Sequence, residues 1–245
     1  MELDILAFAA HPDDIELTCS GTIIKSVKKG YRAGVADLTR GELGTRGTPE
    51  QRKVEAAKAA EIMGLSVREN LGLPDGNIEI NKENKLKVIR LIRSYRPLII
   101  FVPYWRCRHY DHAHCSQLVS EAAFYSGLAK IETGEAPFRP KRVVYYRCRS
   151  EFTPSFVVDI TPYFQLKWEA IMAYKSQFSE EAGVPGVVDT DYFLETIKNL
   201  SRYYGSLIGV EYGEPFIVKE ALEVEDPVDF FRNISPERVF NTPGR

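Results

Sequence analysis

The segment AAHPDDIE, residues 9–16, decides the fold of this chain of 245 residues. It follows the apolar run 3–8, which has the composition of a buried strand. Pro12 suits the first position of a helix, and the polar residues around it predict a helix over residues 14–28. The histidine and the carboxylates of this segment are therefore expected where a strand ends and a helix begins, which is the edge of an open α/β sheet where ligands bind.

The two carboxylates of this segment allow two interpretations. Asp13 and Asp14 could cap the helix and complement its dipole, as acidic residues in a first turn commonly do. Alternatively, one could bind a metal while the other transfers protons, because neighbouring side chains diverge in a helical turn. A second polar cluster, RHYDH at 108–112, favours the metal, since it also follows an apolar run, 98–104, and precedes a predicted helix.

Histidines are concentrated at and just after that second cluster, because three of the four in the chain lie between residues 109 and 114. The two clusters would converge if their strands are near one another in a parallel sheet. His11, Asp14 and one histidine of the second cluster would then supply three nitrogen or oxygen ligands, with a position left for water. That is the pattern of a catalytic zinc site, although two histidines and one carboxylate also suit ferrous iron.

Both motifs carry a family resemblance. HPDD at 11–14 follows an N-terminal strand, and HYDH at 109–112 stands about 100 residues later. With these motifs the chain resembles the zinc-dependent N-deacetylases of the PIG-L/LmbE-like superfamily over roughly residues 3–220. Further segments resemble the branch that deacetylates N-acetylglucosaminyl malate in bacillithiol biosynthesis: DLTRGELGTRGT at 37–48, NLGLPDG at 70–76, AYKSQF at 173–178 and GVEY at 209–212.

The resemblance implies metal-assisted amide hydrolysis with Zn²⁺ on His11, Asp14 and His112. Such an ion lowers the pKa of water and polarises the acetyl carbonyl. Asp13 would act as general base and return the proton to the departing amine. A protonated His109 would stabilise the negative oxygen of the tetrahedral intermediate, while Asp111 would orient His109 and favour its charged form.

Substrate contacts are also expected from the resemblance and from charge. Malate would add two carboxylates, which the arginine fork matches. A cation in the first turn of a helix is poorly placed beside the dipole, which suggests that such an arginine faces a ligand. The predicted substrate-binding residues are Glu42, Arg46, Arg52, Asp75, Arg108, Arg139 and Tyr192. The expected substrate is a small acetylated amino sugar, and the expected assembly is a homo-oligomer, with a hexamer among its states.

Composition argues against nucleic acid and membrane partners. The net charge of −2 and the isoelectric point near 6.2 provide no basic field, so we expect no nucleic acid partner. No apolar run approaches the ~20 residues that span a bilayer, and no targeting segment is evident, so we expect a cytoplasmic protein without a membrane partner. Cys107 and Cys115 flank the second cluster, and thiolates are good zinc ligands. Because histidines and carboxylates already complete a ligand set, both cysteines are predicted to be packing residues.

The order of predicted elements indicates one α/β domain over residues 1–225, a Rossmann-like three-layer sandwich with a mostly parallel central sheet and its active site at the carboxyl ends of the strands. The tail, 226–245, is predicted to be a loop or an oligomer contact. Strands are predicted at 3–8, 32–38, 67–71, 98–104, 142–148, 156–160 and 216–219, and helices at 14–28, 49–64, 82–95, 113–128, 162–177 and 191–204.

Three alternative functions remain at this point. The first is a deacetylase of another N-acetylglucosaminyl compound, and the second is an amidase that cleaves thiol-sugar conjugates with the same site. The third is a metal- or sugar-binding module without catalysis. Such a module would need neither Asp13 nor His109, and both residues are present, so an enzyme is favoured.

Overall fold

The computed structural model describes residues 1–178 and 190–232 of the chain. The strands of this part are β1 Ile5–Ala9, β2 Ala33–Thr39, β3 Val67–Leu73, β4 Ile99–Pro103, β5 Arg142–Tyr146, β6 Phe156–Asp159 and β7 Gly213–Ile217. The helices are α1 Asp14–Thr18, α2 Ser20–Lys28, α3 Pro49–Met63, α4 Lys82–Tyr95, α5 Tyr110–Tyr125, α6 Phe164–Met172, α7 Lys175–Phe178, α8 Thr190–Ser206 and α9 Pro227–Phe231.

The seven strands form one sheet in the order β3-β2-β1-β4-β5-β7-β6. Its pairs are parallel from β3 through β5, and β7 runs antiparallel to both of its neighbours. Alternate residues of β1 enter two separate apolar cores, with Ala7 in one and Leu6 and Phe8 in the other. Helices therefore cover both faces of the sheet, and the predicted α/β sandwich with a mostly parallel sheet is confirmed.

The helix predicted over residues 14–28 is in fact two helices, because the chain leaves the helical conformation at Cys19. The carboxylate of Glu214 accepts hydrogen bonds from the backbone N–H groups of Gly21 and Thr22, at 3.0 and 2.7 Å. These donors are unpaired at a new helix N-terminus, where a negative charge is favourable. A distant residue on β7 thus stabilises a helix start that local sequence does not reveal.

Other helix boundaries also differ from the prediction. Helix α5 begins at Tyr110 rather than at residue 113, so most of the HYDH motif forms its first turn. The region predicted as one helix over 162–177 contains a short 3₁₀ turn followed by α6 and α7. The tail is not wholly a loop, because Asp226 caps the short helix α9 through the N–H groups of Val228 and Asp229. The rest of the predicted tail, 233–245, lies outside the described residues.

The Lys167–Glu214 ion pair offers a test of this packing. Its atoms lie 2.7 Å apart with both side chains almost fully buried. Lys167→Met should lower the free energy of unfolding by about 3–5 kcal/mol, because it leaves a buried carboxylate without its cation. Lys58→Met is the matched control, since the exposed Lys58–Glu61 pair has the same 2.7 Å separation. Denaturant titration should detect the first loss and no significant change in the control; equal effects would contradict the assignment.

Candidate active site

The parallel pairing of β1 with β4 positions the site. Ile5 lies beside Ile99 and Ala7 beside Phe101, so both strands end at the same edge of the sheet. The HPDD motif follows β1, and the HYDH motif begins α5 beyond β4. The predicted convergence of the two clusters follows from this register.

His11, Asp14 and His112 offer one ligand atom each, and these atoms lie within 4.8 Å of one another. Asp14 Oδ1 lies 3.1 Å from His112 Nε2, and Asp14 Oδ2 lies 3.5 Å from His11 Nδ1. The backbone N–H of His11 also donates to Asp14 Oδ2 at 2.9 Å, which orients the carboxylate. Two imidazoles and a carboxylate in this arrangement fit a divalent cation such as zinc.

The other nitrogen of His11 contacts two more carboxylates. Its Nε2 lies 3.0 Å from Asp75 Oδ1 and 3.1 Å from Asp111 Oδ2. Asp111 also accepts a hydrogen bond from the backbone N–H of Gly76 at 2.8 Å. This corrects the prediction that Asp111 orients His109: its hydrogen-bonding partner is His11. A carboxylate on the far nitrogen of a ligating imidazole is the usual way in which proteins fix its orientation.

The site is rich in carboxylates, which raise the pKa values of its histidines. Burial lowers the pKa of His11, but the carboxylates of Asp111, Asp14 and Asp75 outweigh burial and raise this pKa to about 12. Burial also lowers the pKa of His112, whose charge interaction with Asp14 reverses the effect and raises the pKa to about 9. The two imidazoles therefore keep their protons in the absence of a metal ion, and their positive charge balances the carboxylates.

The pKa of His109 does not fit the prediction that this histidine is protonated. Burial, and then the charges of His112 and His11, lower its pKa below the ordinary value for histidine. A neutral imidazole still has one N–H donor, so His109 can donate a hydrogen bond without carrying a charge.

Asp13 points away from Asp14, as their adjacency predicted, and pairs with Arg52. Its backbone has φ 108°, a left-handed conformation that costs a residue with a side chain about 1–3 kcal/mol. Arg52 binds both the Asp13 carboxylate and the carbonyl oxygen of Pro12 at 2.8 Å, and so stabilises this turn. The turn also explains why Pro12 precedes the helix rather than beginning it. Burial raises the pKa of Asp13 and Arg52 opposes this, leaving it at about 6.

Arg52 reaches Asp13 because Gly41 has no side chain. A Cβ atom at Gly41, where φ is 70°, would collide with the guanidinium of Arg52. Arg52 was predicted to face a ligand, and the structure instead shows it buried against Asp13. The same loop is joined to the turn after β3, since Leu43 N–H donates to Asp75 at 2.9 Å and Asp75 N–H donates to Glu42 at 3.0 Å.

The sulfur atoms beside His112 were not among the predicted ligands. Cys107 Sγ lies 3.3 Å from His112 Nδ1, and Cys148 belongs to the same cluster of potential ligands. A hydrogen bond from Cys148 lowers the pKa of Cys107 despite burial, and His112 adds to this, giving a value of about 3. Cys107 is therefore not merely a packing residue. Cys115 is fully buried, as predicted for packing. The close spacing of Cys107 and His112 in the sequence was the available signal; Cys148 had none.

A cavity of about 280 Å³ opens beside Asp14 and His112. Three arginines line it: Arg108, which was predicted to bind substrate, and Arg147 and Arg149, which were not. Arg147 and Arg149 follow β5, the strand next to β4, and so reach the same sheet edge. Position after that strand was the signal that could have identified them.

Arg46 and Tyr192, two more of the predicted substrate residues, do not line this cavity. Arg46 lines a neighbouring cavity and donates to Thr190 Oγ1 and to the carbonyl oxygen of Gln177, both at 2.9 Å. Tyr192 is exposed in the first turn of α8, next to Phe193, which lines both cavities.

Arg139 is the clear exception. It donates to the carbonyl oxygen of Phe124 at 2.9 Å and stacks on the Phe124 ring, near the carboxyl end of α5. His109 precedes the first turn of the same helix, about 22 Å away at 1.5 Å per residue. Within one chain, Arg139 therefore lies far from this site, and its contact with a substrate stays a prediction.

Known proteins resemble this chain in sequence and fold. The family model described as GlcNAc-PI de-N-acetylase, PIG-L, matches residues 6–123. The crystal structure of the conserved protein TT1542 from Thermus thermophilus is 40% identical, with a TM-score of 0.83, and the match covers 91% of this chain and 98% of that one.

Two relatives have assigned activities. Diacetylchitobiose deacetylase from Thermococcus kodakarensis is 27% identical over 86% of this chain and 80% of that protein. A protein of Bacillus anthracis named "Probable N-acetyl-alpha-D-glucosaminyl L-malate deacetylase 2" is 25% identical over 82% of this chain and 93% of that protein.

The matched region begins in β1 and ends in α5, so it contains both motifs of the site. No helix in residues 1–178 and 190–232 is long and apolar enough to cross a membrane. The chain belongs to the PIG-L family and is a metal-dependent hydrolase of the deacetylase class.

Proposed function

We propose that this enzyme removes the acetyl group from N-acetylglucosaminyl malate, giving glucosaminyl malate and acetate in bacillithiol biosynthesis. The observation that carries this proposal is the position of Asp14 and His112 in the wall of a cavity that three arginines also line. Metal ligands and carboxylate-binding groups thus face one space, as an acetylated sugar with a dicarboxylic acid attached would require.

His11, Asp14 and His112 would hold the metal, which we propose to be zinc. The donor set supports this choice, since zinc accepts imidazole and carboxylate ligands, and ferrous iron is the alternative that the same donors allow. Bound there, the ion would supply Lewis acidity to the acetamide carbonyl and lower the pKa of water. Asp75 and Asp111 fix the far nitrogen of His11 and so act as positioning residues.

The protein side chains would move the proton and stabilise charge. Asp13, adjacent to the ligand Asp14 but turned towards Arg52, is the general base that accepts the proton of the attacking water. The same carboxyl group then protonates the amine as the carbon–nitrogen bond breaks. His109, whose ring centroid lies 4.9 Å from that of His11, donates an N–H to the developing negative oxygen.

Charge in the cavity supports a carboxylated substrate over a neutral one. Arg108, Arg147 and Arg149 line its walls, and the guanidinium fork matches a carboxylate bidentately. Diacetylchitobiose, the substrate named for the Thermococcus kodakarensis relative, has no carboxylate. The Bacillus anthracis relative is named for the malate compound, which has two.

Zinc binding can be tested by thermal unfolding of the metal-free protein. Free zinc at about 100 times its Kd should stabilise the wild type by about 2.7 kcal/mol and raise its Tm. Asp14→Asn should lose this increase, because it removes the only carboxylate of the proposed ligand set. Asp229→Asn, which alters an exposed ion pair on α9, is the matched control and should keep it. Both variants also carry Cys148→Ser, because Cys107, Cys148 and His112 are a second group of potential zinc ligands. An undiminished zinc response in Asp14→Asn on that background would rule out this ligand set.

Asp13→Asn should reduce turnover by about 10²–10⁴-fold, the usual contribution of a general base. Zinc should still raise its Tm, since Asp13 is not among the proposed ligands. Amine release, measured with the zinc content confirmed, checks both parts. Turnover near that of the wild type would show that another group accepts the proton.

The substrate assignment is tested by amine release from N-acetylglucosaminyl malate, diacetylchitobiose and N-acetylglucosamine at matched concentrations. We expect kcat/KM to be highest for the malate compound. Arg149→Met should lower that value about tenfold, by removing a charge-assisted hydrogen bond, and should leave the two neutral sugars nearly unaffected. Arg90→Met, on the exposed side of α4, is the control for loss of a cation.

Two outcomes would contradict the proposal. Equal rates on all three sugars would leave a deacetylase of broader specificity and remove the assignment to bacillithiol biosynthesis. No release from any of them by zinc-loaded protein would favour a thiol-sugar conjugate amidase or a binding module instead.

A further inference from the structure

A second set of potential ligands lies directly behind His112. Cys107 Sγ, Cys148 Sγ and a ring nitrogen of His112 lie within 4.8 Å of one another. Both cysteines are free thiols, and Cys148 is buried while Cys107 is partly exposed. Cys107 precedes α5, whereas Cys148 follows β5, so the parallel pairing of β4 with β5 brings them together.

These three donors suit a soft metal ion. Two sulfurs and one imidazole nitrogen prefer Zn²⁺, Cd²⁺ or Cu⁺ over Mg²⁺ or Mn²⁺, which select oxygen. With metal–sulfur bonds of about 2.3 Å, two sulfurs on a tetrahedral ion are separated by about 3.8 Å, which this cluster permits. The 280 Å³ cavity is lined by both Cys148 and His112 and gives an ion access to the cluster.

His112 connects this cluster to the proposed catalytic ligands. Its Nε2 lies 3.1 Å from Asp14 Oδ1, and its Nδ1 lies 3.3 Å from Cys107 Sγ. A neutral imidazole has one lone pair on one nitrogen and a proton on the other, so it can ligate through only one of them at a time.

We propose that Cys107, Cys148 and His112 Nδ1 form a second, inhibitory site for a thiophilic metal ion. When an ion is bound there, His112 can no longer ligate the ion held by His11 and Asp14. The ring proton moves from Nδ1 to Nε2, which then faces Asp14 as a donor. Cys148 releases its thiol proton to solvent and Cys107 binds as a thiolate, so a divalent ion and two thiolates form a neutral group. Binding of the two ions through His112 is therefore mutually antagonistic.

The test uses the full chain loaded with one zinc ion and titrated with Cd²⁺ under reducing conditions. We expect one Cd²⁺ per chain to produce the ultraviolet thiolate-to-cadmium charge-transfer band, and amine release to fall in proportion to that band. Cadmium that merely replaced zinc on His11, Asp14 and His112 would produce no such band, because those residues offer no sulfur.

Variants identify the ligands. Cys148→Ser should lower the affinity for the Cd²⁺ that produces the band by about 100-fold. Removing a residue that only supports a metal ligand already costs about 10–100-fold in affinity. Cys115→Ala is the matched control, since Cys115 is buried in α5 but absent from the cluster, and it should keep the band. An unchanged band in Cys148→Ser, or no band in the wild type, would overturn the proposal.

A measurement on the wild type avoids dependence on how a variant folds. Cd²⁺ should protect Cys107 from alkylation, as followed by mass spectrometry of the holoenzyme. Alkylation at an unchanged rate would contradict the site. Neither the charge-transfer band nor alkylation requires a substrate, so these outcomes are independent of the proposed deacetylation. A band that forms without loss of turnover would refute the inhibitory role.

Discussion

The parallel pairing of β1 with β4 is the constraint on which the site depends. Each strand ends in a polar motif, and the register from Ile5–Ile99 to Ala7–Phe101 places both motifs at one edge of the sheet. Neither motif alone contains a complete set of metal ligands. The fold therefore assembles the site from segments about 100 residues apart, and the pairing of β4 with β5 extends it to the arginines and to Cys148.

Buried charge is the second feature that organises this molecule. Carboxylates taken out of water need cations, and four buried acids near the site pair with arginine or lysine: Arg52 for Asp13, Arg68 for Glu16 and Asp37, and Lys167 for Glu214. Asp14 is paired with two histidines instead. Imidazole can exchange its proton for a metal, whereas arginine and lysine cannot. Asp14 thus differs from those four acids in a way that suits a ligand.

Much of the fold and site followed from sequence, because apolar runs and motif spacing are local signals. The strands after which His11 and His112 lie were both predicted, and the sheet is mostly parallel as expected. The misses involve contacts between distant segments. The break at Cys19 depends on Glu214, the partner of Asp111 is His11 rather than His109, and Cys148 approaches His112 only through the sheet order. Arg139 was assigned by resemblance, which does not report the 16-residue length of α5 that separates it from the site.

The most direct test of the central claim is anomalous diffraction at the zinc edge from crystals of the protein loaded with one zinc per chain. The described residues contain three groups that could hold the ion, and all three include His11 or His112. We predict a single anomalous peak within bonding distance of His11, Asp14 and His112. A peak instead among His11, His109 and Asp111, or beside Cys107 and Cys148 alone, would contradict the assignment of Asp14 as a ligand and the mechanism built on it.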